Sequence, residues 1–331
     1  MTTRVLPGDT IAVDGGPAFW RDESALQDAL REPVPRIPPV FGYDECGSEL
    51  FEEITRLPTY YLTRVEWQLL RGCAEQIGAV LDGAWFVELG CGSGKKTRAL
   101  LAGSHARPAA YLPVDVSREM LDVAAAAARS AVPHLPVQPL WGRYDAALAW
   151  LRSRPRAERT IVGFLGSSLG NMTPDERSGL LADIGATLRP GDGFLYSADL
   201  HKPAHVFESC YNDPSGHTAF ARFRLNHLTH LNRRFGADFV VDRFVPRAHY
   251  VESTGMVEGL LHVTEDHRAD VAGVRLDLRH GDAINVGYSA KFDVEQLERE
   301  IAGHGFTASA RWMDQQCRYG VFLAWRSADA R

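Results

Sequence analysis

The stretch Phe86-Val87-Glu88-Leu89-Gly90-Cys91-Gly92-Ser93-Gly94-Lys95-Lys96-Thr97-Arg98 decides the fold. Short apolar residues open it and read as a buried strand. Three glycines at alternate positions follow, and a helical pattern then runs from Lys96 to Leu101. Strand, glycine turn and helix together make a nucleotide pocket in an open α/β sheet. A dinucleotide fold requires G-x-G-x-x-G, with a small residue where the helix packs on the sheet. Here Lys95 takes the third position and Gly94 comes one residue early. Glu88 lies two residues before Gly90, at the end of the strand, where a carboxylate suits a cationic ligand better than a pyrophosphate. S-adenosylmethionine carries an amino group and a sulfonium and no phosphate. The stretch therefore reads as an S-adenosylmethionine loop ahead of a dinucleotide loop, with a glycine turn that binds nothing as the bland alternative.

Working outward, the chain alternates. Strand Trp85–Leu89 leads to helix Lys96–Ala102, and strand Ala110–Pro113 to helix Glu119–Arg129. A third strand near Val137–Leu140 precedes helix Ala146–Arg152. Strand Thr160–Leu165 precedes helix Pro174–Leu188, and strand Gly193–Ala198 follows. This alternation predicts a parallel sheet with helices on both faces. Thr173-Pro174-Asp175-Glu176 is a helix start, with Thr as cap, Pro first and Glu three after the cap. Near the end, helix Val294–His304 and strands Thr307–Trp312 and Tyr319–Trp325 match the antiparallel closure of the common methyltransferase sheet.

The flanking segments differ. Met1 to Asp22 reads as loosely ordered and Glu23 to Arg31 as a short helix. Pro33, Pro35, Pro38 and Pro39 impose an extended segment. Ser48 is expected to cap a helix bearing Leu50, Phe51 and Ile54, and Thr63 to cap the next. Residues 200–290 break the rhythm: Leu225–Arg233 reads as helix, and Asp238–Val245, Arg247–Val251, Met256–Val263 and Val274–Leu278 as strands. This predicts a smaller, β-rich unit.

Bulk properties limit the function classes. The 331 residues are 45% hydrophobic and 24% charged, as in a globular protein with a real core. A net charge of −6 and pI near 6.1 argue against a nucleic-acid surface. Cysteines at 46, 73, 91, 210 and 317 show no C-x-x-C spacing, which predicts reduced thiols in a cytoplasmic protein without disulfides or zinc. No apolar run suggests a signal peptide or a membrane span. His201, His205, His227 and His230 are read as surface or pocket-rim residues rather than metal ligands. The expected partner is a small molecule, bound by a monomer.

Ligands in such a sheet bind beyond the carboxyl ends of the strands. There the first strand offers Glu88, Gly90 and Gly92. The second offers Asp115, about 25 residues past the glycines, as an acceptor for ribose hydroxyls or else as a plain helix cap. Tyr144 is placed to lie against an adenine ring. The fourth strand ends in Phe164-Leu165-Gly166-Ser167-Ser168-Leu169-Gly170-Asn171, where Asn171 either reaches the pocket or merely organises the turn before Pro174. Methyl transfer to an amine needs a neutral nitrogen in line with the methyl group and a route for its proton. Neutral donors hold a substrate carboxylate without adding positive charge beside a sulfonium.

Beyond these readings the sequence resembles the histidine Nα-methyltransferases of ergothioneine biosynthesis and their relatives that N-methylate tryptophan derivatives. The resemblance rests on Phe41-Gly42-Tyr43-Asp44, Gly47 to Phe51, Ile54-Thr55-Arg56-Leu57-Pro58-Thr59-Tyr60-Tyr61-Leu62-Thr63-Arg64, Val87 to Gly90, Lys96-Thr97-Arg98, Phe164 to Pro174, Tyr211-Asn212-Asp213 with Gly216 and Thr218, and Ser289-Ala290-Lys291-Phe292. It covers nearly the whole chain from about residue 35. It implies an α/β, Rossmann-like class I methyltransferase domain at 64–201 plus 291–331, and a smaller α+β substrate domain at 13–63 plus 202–290. It also implies S-adenosyl-L-methionine as cofactor and S-adenosyl-L-homocysteine as product. Tyr60, Asn171 and Tyr211 would hold the substrate carboxylate and amino group, with Phe51, Thr218 and Ser289 also in the substrate pocket. Tyr43 would stand on the proton route, and Gly166 would place a carbonyl by the amine. Gly90, Lys96 and Asp115 would bind the cofactor.

Three positions depart from the family. Histidine-specific members carry a Glu two residues before the Ser of Ser-x-Lys-Phe, where this chain has Gly287, and a bulky Met where it has Gly259. A larger, uncharged pocket is therefore expected, one that fits tryptophan or a derivative better than histidine, with the histidine trimethyltransferase as alternative. His217 is a candidate for an altered polar contact, or else an exposed loop residue. Arg143 stands where the family has Asp in the cofactor site, with Asp145 nearby. From other classes, an NAD-dependent oxidoreductase is disfavoured by Lys95, and a silent cofactor-binding protein by the retained Tyr43, Tyr60, Asn171 and Tyr211.

Overall fold

A computed structural model describes residues 9–14, 23–316 and 318–328. The expected looseness of residues 1–8 and 15–22, and Cys317, lie outside them. The described chain divides into two compact units. One holds 9–14, 62–201 and the described residues from Phe292 onward; the other holds 23–61 and Lys202–Lys291.

The first unit is built on an eight-stranded sheet. Across it run Ile11–Ala12, Leu140–Trp141, Ala110–Asp115, Trp85–Leu89, Thr160–Phe164, Gly193–Asp199, Tyr319–Arg326 and Phe306–Asp314. The first six strands are mutually parallel, and the last two add antiparallel. Every residue of Trp85–Leu89, Thr160–Phe164 and Gly193–Asp199 is buried, as parallel strands covered by helices on both faces must be. Strand order reverses between Trp85–Leu89 and Thr160–Phe164, where Glu88 lies opposite Gly163. That switch point opens the crevice in which such sheets bind ligands. The expected start of the helix after Thr173 is borne out in full: its side chain and Glu176 form a reciprocal capping box around Pro174.

The second unit joins a three-stranded antiparallel sheet, Phe244–Val251, Met256–Val263 and Ala283–Ala290, to the hairpin His267–Val271/Val274–Leu278. Helices Glu23–Leu30, Glu45–Ile54, Ala204–Tyr211 and Ala219–Phe235 complete it. Its core includes Leu26, Ile37, Leu228, Leu231, Leu261 and Ile284. The proline-rich segment is extended around 35–37 as expected, where Ile37 N donates to Asn285 O and Asn285 N to Pro35 O, both at 2.8 Å, but Pro39 opens a short 3₁₀ helix, Pro39–Gly42, instead of forbidding helix.

Several expectations need correction. Residues 13–14 belong with the first unit, because the two-residue strand Ile11–Ala12 carries Val13 N to Trp141 O at 2.9 Å. Asp44, not Ser48, caps the helix Glu45–Ile54: its carboxylate accepts from Gly47 N at 2.9 Å, leaving Ser48 a turn inside. Thr63 likewise lies within the helix Leu62–Gly72 and does not cap it. Phe244–Val251 is one strand. Helix Ala204–Tyr211 and strands His267–Val271 and Ala283–Ala290 were not anticipated.

Candidate active site

In the first unit the glycine turn follows its strand as expected. Gly90 has φ +66°, and a Cβ there would lie 2.7 Å from the Tyr144 hydroxyl, so only glycine lets the backbone pass beneath that ring. Tyr144 opens the helix Tyr144–Arg152 and meets Phe164 edge-on at 5.3 Å. Asp115, at the end of the neighbouring strand, accepts from Gly92 N and from Ser117 N, both at 2.9 Å. It thus ties the glycine turn to the next loop. The helix cap beyond it is Ser117, which accepts from Met120 N. Burial pushes the Asp115 carboxyl above its ordinary range.

Glu88 turns inward. Its Oε2 accepts from Thr97 Oγ1 at 2.7 Å and from the buried Tyr111 hydroxyl. Burial raises it to about 7, against the lowering pull of Tyr111, Thr97 and Lys96. Arg143 is engaged from two sides. Its backbone N donates to Asp14 Oδ2 at 3.0 Å, and its Nε lies 3.4 Å from Asp145 Oδ1.

Glu66, which carried no local motif, organises the rest of this half. It is 1% exposed. Its Oε1 accepts from Gly166 N at 2.7 Å and from Ser197 Oγ at 2.5 Å. Its Oε2 lies 2.6 Å from Lys96 Nζ, an ion pair whose angles fall short of a hydrogen bond. Lys96 Nζ would in turn be 2.9 Å from a Cβ at Gly166. Asn171 ends the 3₁₀ turn Ser168–Asn171, and among the described residues its carboxamide makes no hydrogen bond to that turn.

In the second unit Tyr43, Phe51, Tyr60, Tyr211, Phe220 and Phe223 form a continuous aromatic cluster. Neighbouring ring centroids are 5.3 Å apart for Tyr43–Phe223, 5.6 Å for Tyr43–Phe51 and 6.1 Å for Tyr60–Tyr211. Tyr211 Oη, Ser289 Oγ and Lys291 Nζ form a triangle with sides of 2.7, 2.8 and 2.9 Å. An ammonium only donates, so it places a hydrogen bond on both oxygens. Thr218 precedes the helix Ala219–Phe235, makes no capping bond and is exposed, at a shallow cleft with Arg56 and Leu57. His217 beside it is an exposed loop residue.

Gly259 and Gly287 face each other across adjacent strands. A Cβ at Gly287 would meet nothing within 4 Å. A Cβ at Gly259, however, would stand 3.2 Å from Arg224 Nε. At Gly259 the expected enlargement needs correction, because Arg224 fills the space beside it. The histidines also need correction. His227 and His230 are 1% and 5% exposed, in the core of the unit, where two imidazoles three residues apart share one helix face. Burial lowers His227 to about 4. No cluster able to hold a metal exists among the described residues, and no described helix is long and apolar enough to cross a membrane.

The acceptors of the first unit fit a ribose-bearing cation: the Glu88 and Asp115 carboxylates flank the turn, and Lys96 is already paired with Glu66. Sheet order, glycine turn and carboxylates define a class I methyltransferase that uses S-adenosylmethionine. Residues 22–326 match the model of the histidine-specific, S-adenosylmethionine-dependent methyltransferases, and the chain belongs to that family. It is 32% identical to a histidine N-alpha-methyltransferase of Mycobacterium tuberculosis, over 97% of this chain and 99% of that one. It is 34% identical to a histidine N-alpha-methyltransferase of Mycolicibacterium smegmatis, over 88% and 90% of the two chains. The N-methyltransferase fsqC of Aspergillus fumigatus is 27% identical, over 89% and 81%.

Proposed function

We propose that this N-methyltransferase acts on the α-amino nitrogen of a free amino acid, with L-histidine as the leading substrate. The observation that carries the reading is the Tyr211–Ser289–Lys291 triangle, a set of donors, half-buried at Tyr211 and buried at Ser289 and Lys291, suited to a carboxylate. Histidine leads because the two mycobacterial relatives, matched over nearly their whole length, carry that name.

S-adenosylmethionine, when bound, supplies a methyl group on a sulfonium. Glu88, Gly90, Gly92, Lys96, Asp115 and Tyr144 of the first unit are assigned to hold it. Tyr60, Asn171 and Tyr211 are assigned to the substrate carboxylate and amino group, with Phe51, Thr218 and Ser289 around them. Tyr43 takes part in moving the amine proton away, since only the neutral nitrogen has a lone pair to give. The Gly166 carbonyl accepts from the amine and helps to aim it.

A second reading, tryptophan or a derivative, is favoured by Gly287, beside which the space is open and no family carboxylate projects. The test is incubation with S-adenosylmethionine and each of the twenty amino acids, with mass spectrometry reading the gain of one, two or three methyl groups. Turnover of histidine above the others supports the first reading and of tryptophan the second. Product from none overturns both.

A further inference from the structure

Arg224 is the residue of the second unit that neither the motifs nor the assigned roles account for. It lies on the helix Ala219–Phe235 and is only 6% exposed. An arginine so deeply buried is normally matched by a carboxylate. Here Asp213, whose charge acts on it from a distance, accepts instead from Phe220 N and Ala221 N, both at 2.8 Å. Among the described residues no carboxylate comes within ion-pair distance of the guanidinium. Its one hydrogen bond among the described residues runs from Nη2 to the Tyr211 carbonyl at 2.5 Å, and its plane rests over Phe220 at 5.0 Å. Burial lowers it to about 10, so it remains a cation at neutral pH.

The sheet fixes where this cation stands. Gly259 pairs with Gly287, and Val257 with Ser289. Cross-strand partners share a face, as do residues two apart on one strand. Gly259, Gly287 and Ser289 therefore lie on one face, the face that Ser289 shares with the Tyr211 hydroxyl. Arg224 reaches the same face, with Nε 3.2 Å and Cδ 3.8 Å from the Cβ position of Gly259. Across from it, at Gly287, that position meets nothing within 4 Å. An open space is thus bounded by the Tyr211–Ser289–Lys291 donors on one side and by a buried guanidinium on the other.

We infer that Arg224 selects the substrate by the far end of its side chain, which must carry a hydrogen-bond acceptor, such as the bare nitrogen of a neutral imidazole, an amide oxygen or a carboxylate. The inference rests on the amino-acid reading above and narrows it. A guanidinium only donates. It pairs with a carboxylate, donates to an amide oxygen or to the bare nitrogen of a neutral imidazole, and repels an ammonium. An indole N–H, a donor only, gains nothing from it but stacking.

The test sets wild type beside Arg224→Lys and Arg224→Met. Each receives S-adenosylmethionine and, one at a time, glutamate, glutamine, histidine, tryptophan, leucine and lysine. Both kcat/KM and the ligand-induced shift in melting temperature are read. Wild type should favour the acceptor-bearing side chains over the others by about tenfold or more, the scale of a charge-assisted hydrogen bond. Arg224→Lys should keep the order, and Arg224→Met should level it. A merely structural role would lower all rates together and leave their order intact, and that result would overturn the inference. So would wild-type turnover of tryptophan or leucine equal to the acceptor-bearing set. If nothing is methylated but the melting shifts follow the order and level in Arg224→Met, the transfer reading fails and the assignment of Arg224 stands. Neither turnover nor ranked shifts would overturn both. Should Arg224→Met not fold, Arg224→Gln replaces it. Loss of the preference for glutamate over glutamine is expected there, and its retention counts against the inference.

Discussion

Glu66 and Lys96 form an ion pair in the first unit, Oε2 to Nζ at 2.6 Å, with Glu66 almost wholly buried and Lys96 one-quarter exposed. The same carboxylate holds Gly166 N and Ser197 Oγ on its other oxygen. One side chain thereby joins the helix Leu62–Gly72 to the helix after the glycine turn and to two strand ends. Removing its charge leaves Lys96 without compensation. Glu66→Gln is expected to cost about 1–3 kcal/mol in urea unfolding, less than a fully buried pair because Lys96 reaches water. It should also weaken S-adenosylmethionine binding in calorimetry. Adding Lys96→Met should restore much of the stability and none of the affinity. Full stability and affinity in Glu66→Gln would remove Glu66 from this role.

Glu88 predicts a proton linkage. Burial holds it at about 7, so near neutrality about half the molecules carry its proton. A cation bound beside it favours the ionised form. Affinity for S-adenosylmethionine should therefore rise with pH up to about 7 and level off above, at most about tenfold per pH unit, with proton release visible in buffers of different ionisation enthalpy. Glu88→Gln keeps an acceptor for Thr97 and Tyr111 and should flatten the dependence. An affinity constant from pH 6 to 8 in the wild type would place Glu88 away from the cation.

Tyr211→Phe retains the ring contacts with Tyr60 and Phe220 but removes the hydroxyl that links Ser289 and Lys291. A lost charge-assisted bond to a carboxylate is worth ~1.5–3 kcal/mol, so KM for the amino acid should rise about 10–100-fold with kcat changed far less. Lys291→Met should act in the same direction. The double variant should cost less than the sum of the two, because both act through one triangle. Strict additivity would separate them.

His227 sets the acid limit of the second unit. Its folded value of about 4 lies below the ordinary 6.5, so the unfolded chain binds more protons between those values. Stability should fall as pH drops from 6.5 to 4, by about 3 kcal/mol in all. Glu88, raised in the fold, works in the opposite sense: its contribution grows as pH falls from 7 toward 4.5. The difference between wild type and His227→Gln, followed by urea unfolding across that range, isolates the histidine. Parallel curves for the two proteins would contradict its burial as a neutral ring.

What the sequence disclosed was what neighbouring residues decide together. The glycine turn, the capping box at Thr173 and the closing strand pair are local patterns, and each was read correctly. Glu66 had no such signal, since it is 100 residues from Gly166 and 131 from Ser197. Arg224 was invisible for a related reason: its neighbour Gly259 lies on another element and looked like a vacancy. The strand Ile11–Ala12 is too short for its alternation to be seen. At Ser48 two capping residues competed, and Asp44 prevailed through its bond to Gly47 N. His227 and His230, three apart within an amphipathic helix, carried a core signal that their chemistry obscured.

The central claim is transfer to the α-nitrogen of an amino acid, and the most direct measurement locates the methyl group. The enzyme is incubated with S-adenosylmethionine carrying an isotopically labelled methyl and with L-histidine, and the product is examined by nuclear magnetic resonance. The account predicts label on the α-nitrogen, and none once Asn171 and Tyr211 are replaced by Ala. Label on a ring nitrogen or a carboxylate oxygen, from this or any other amino acid, would contradict it.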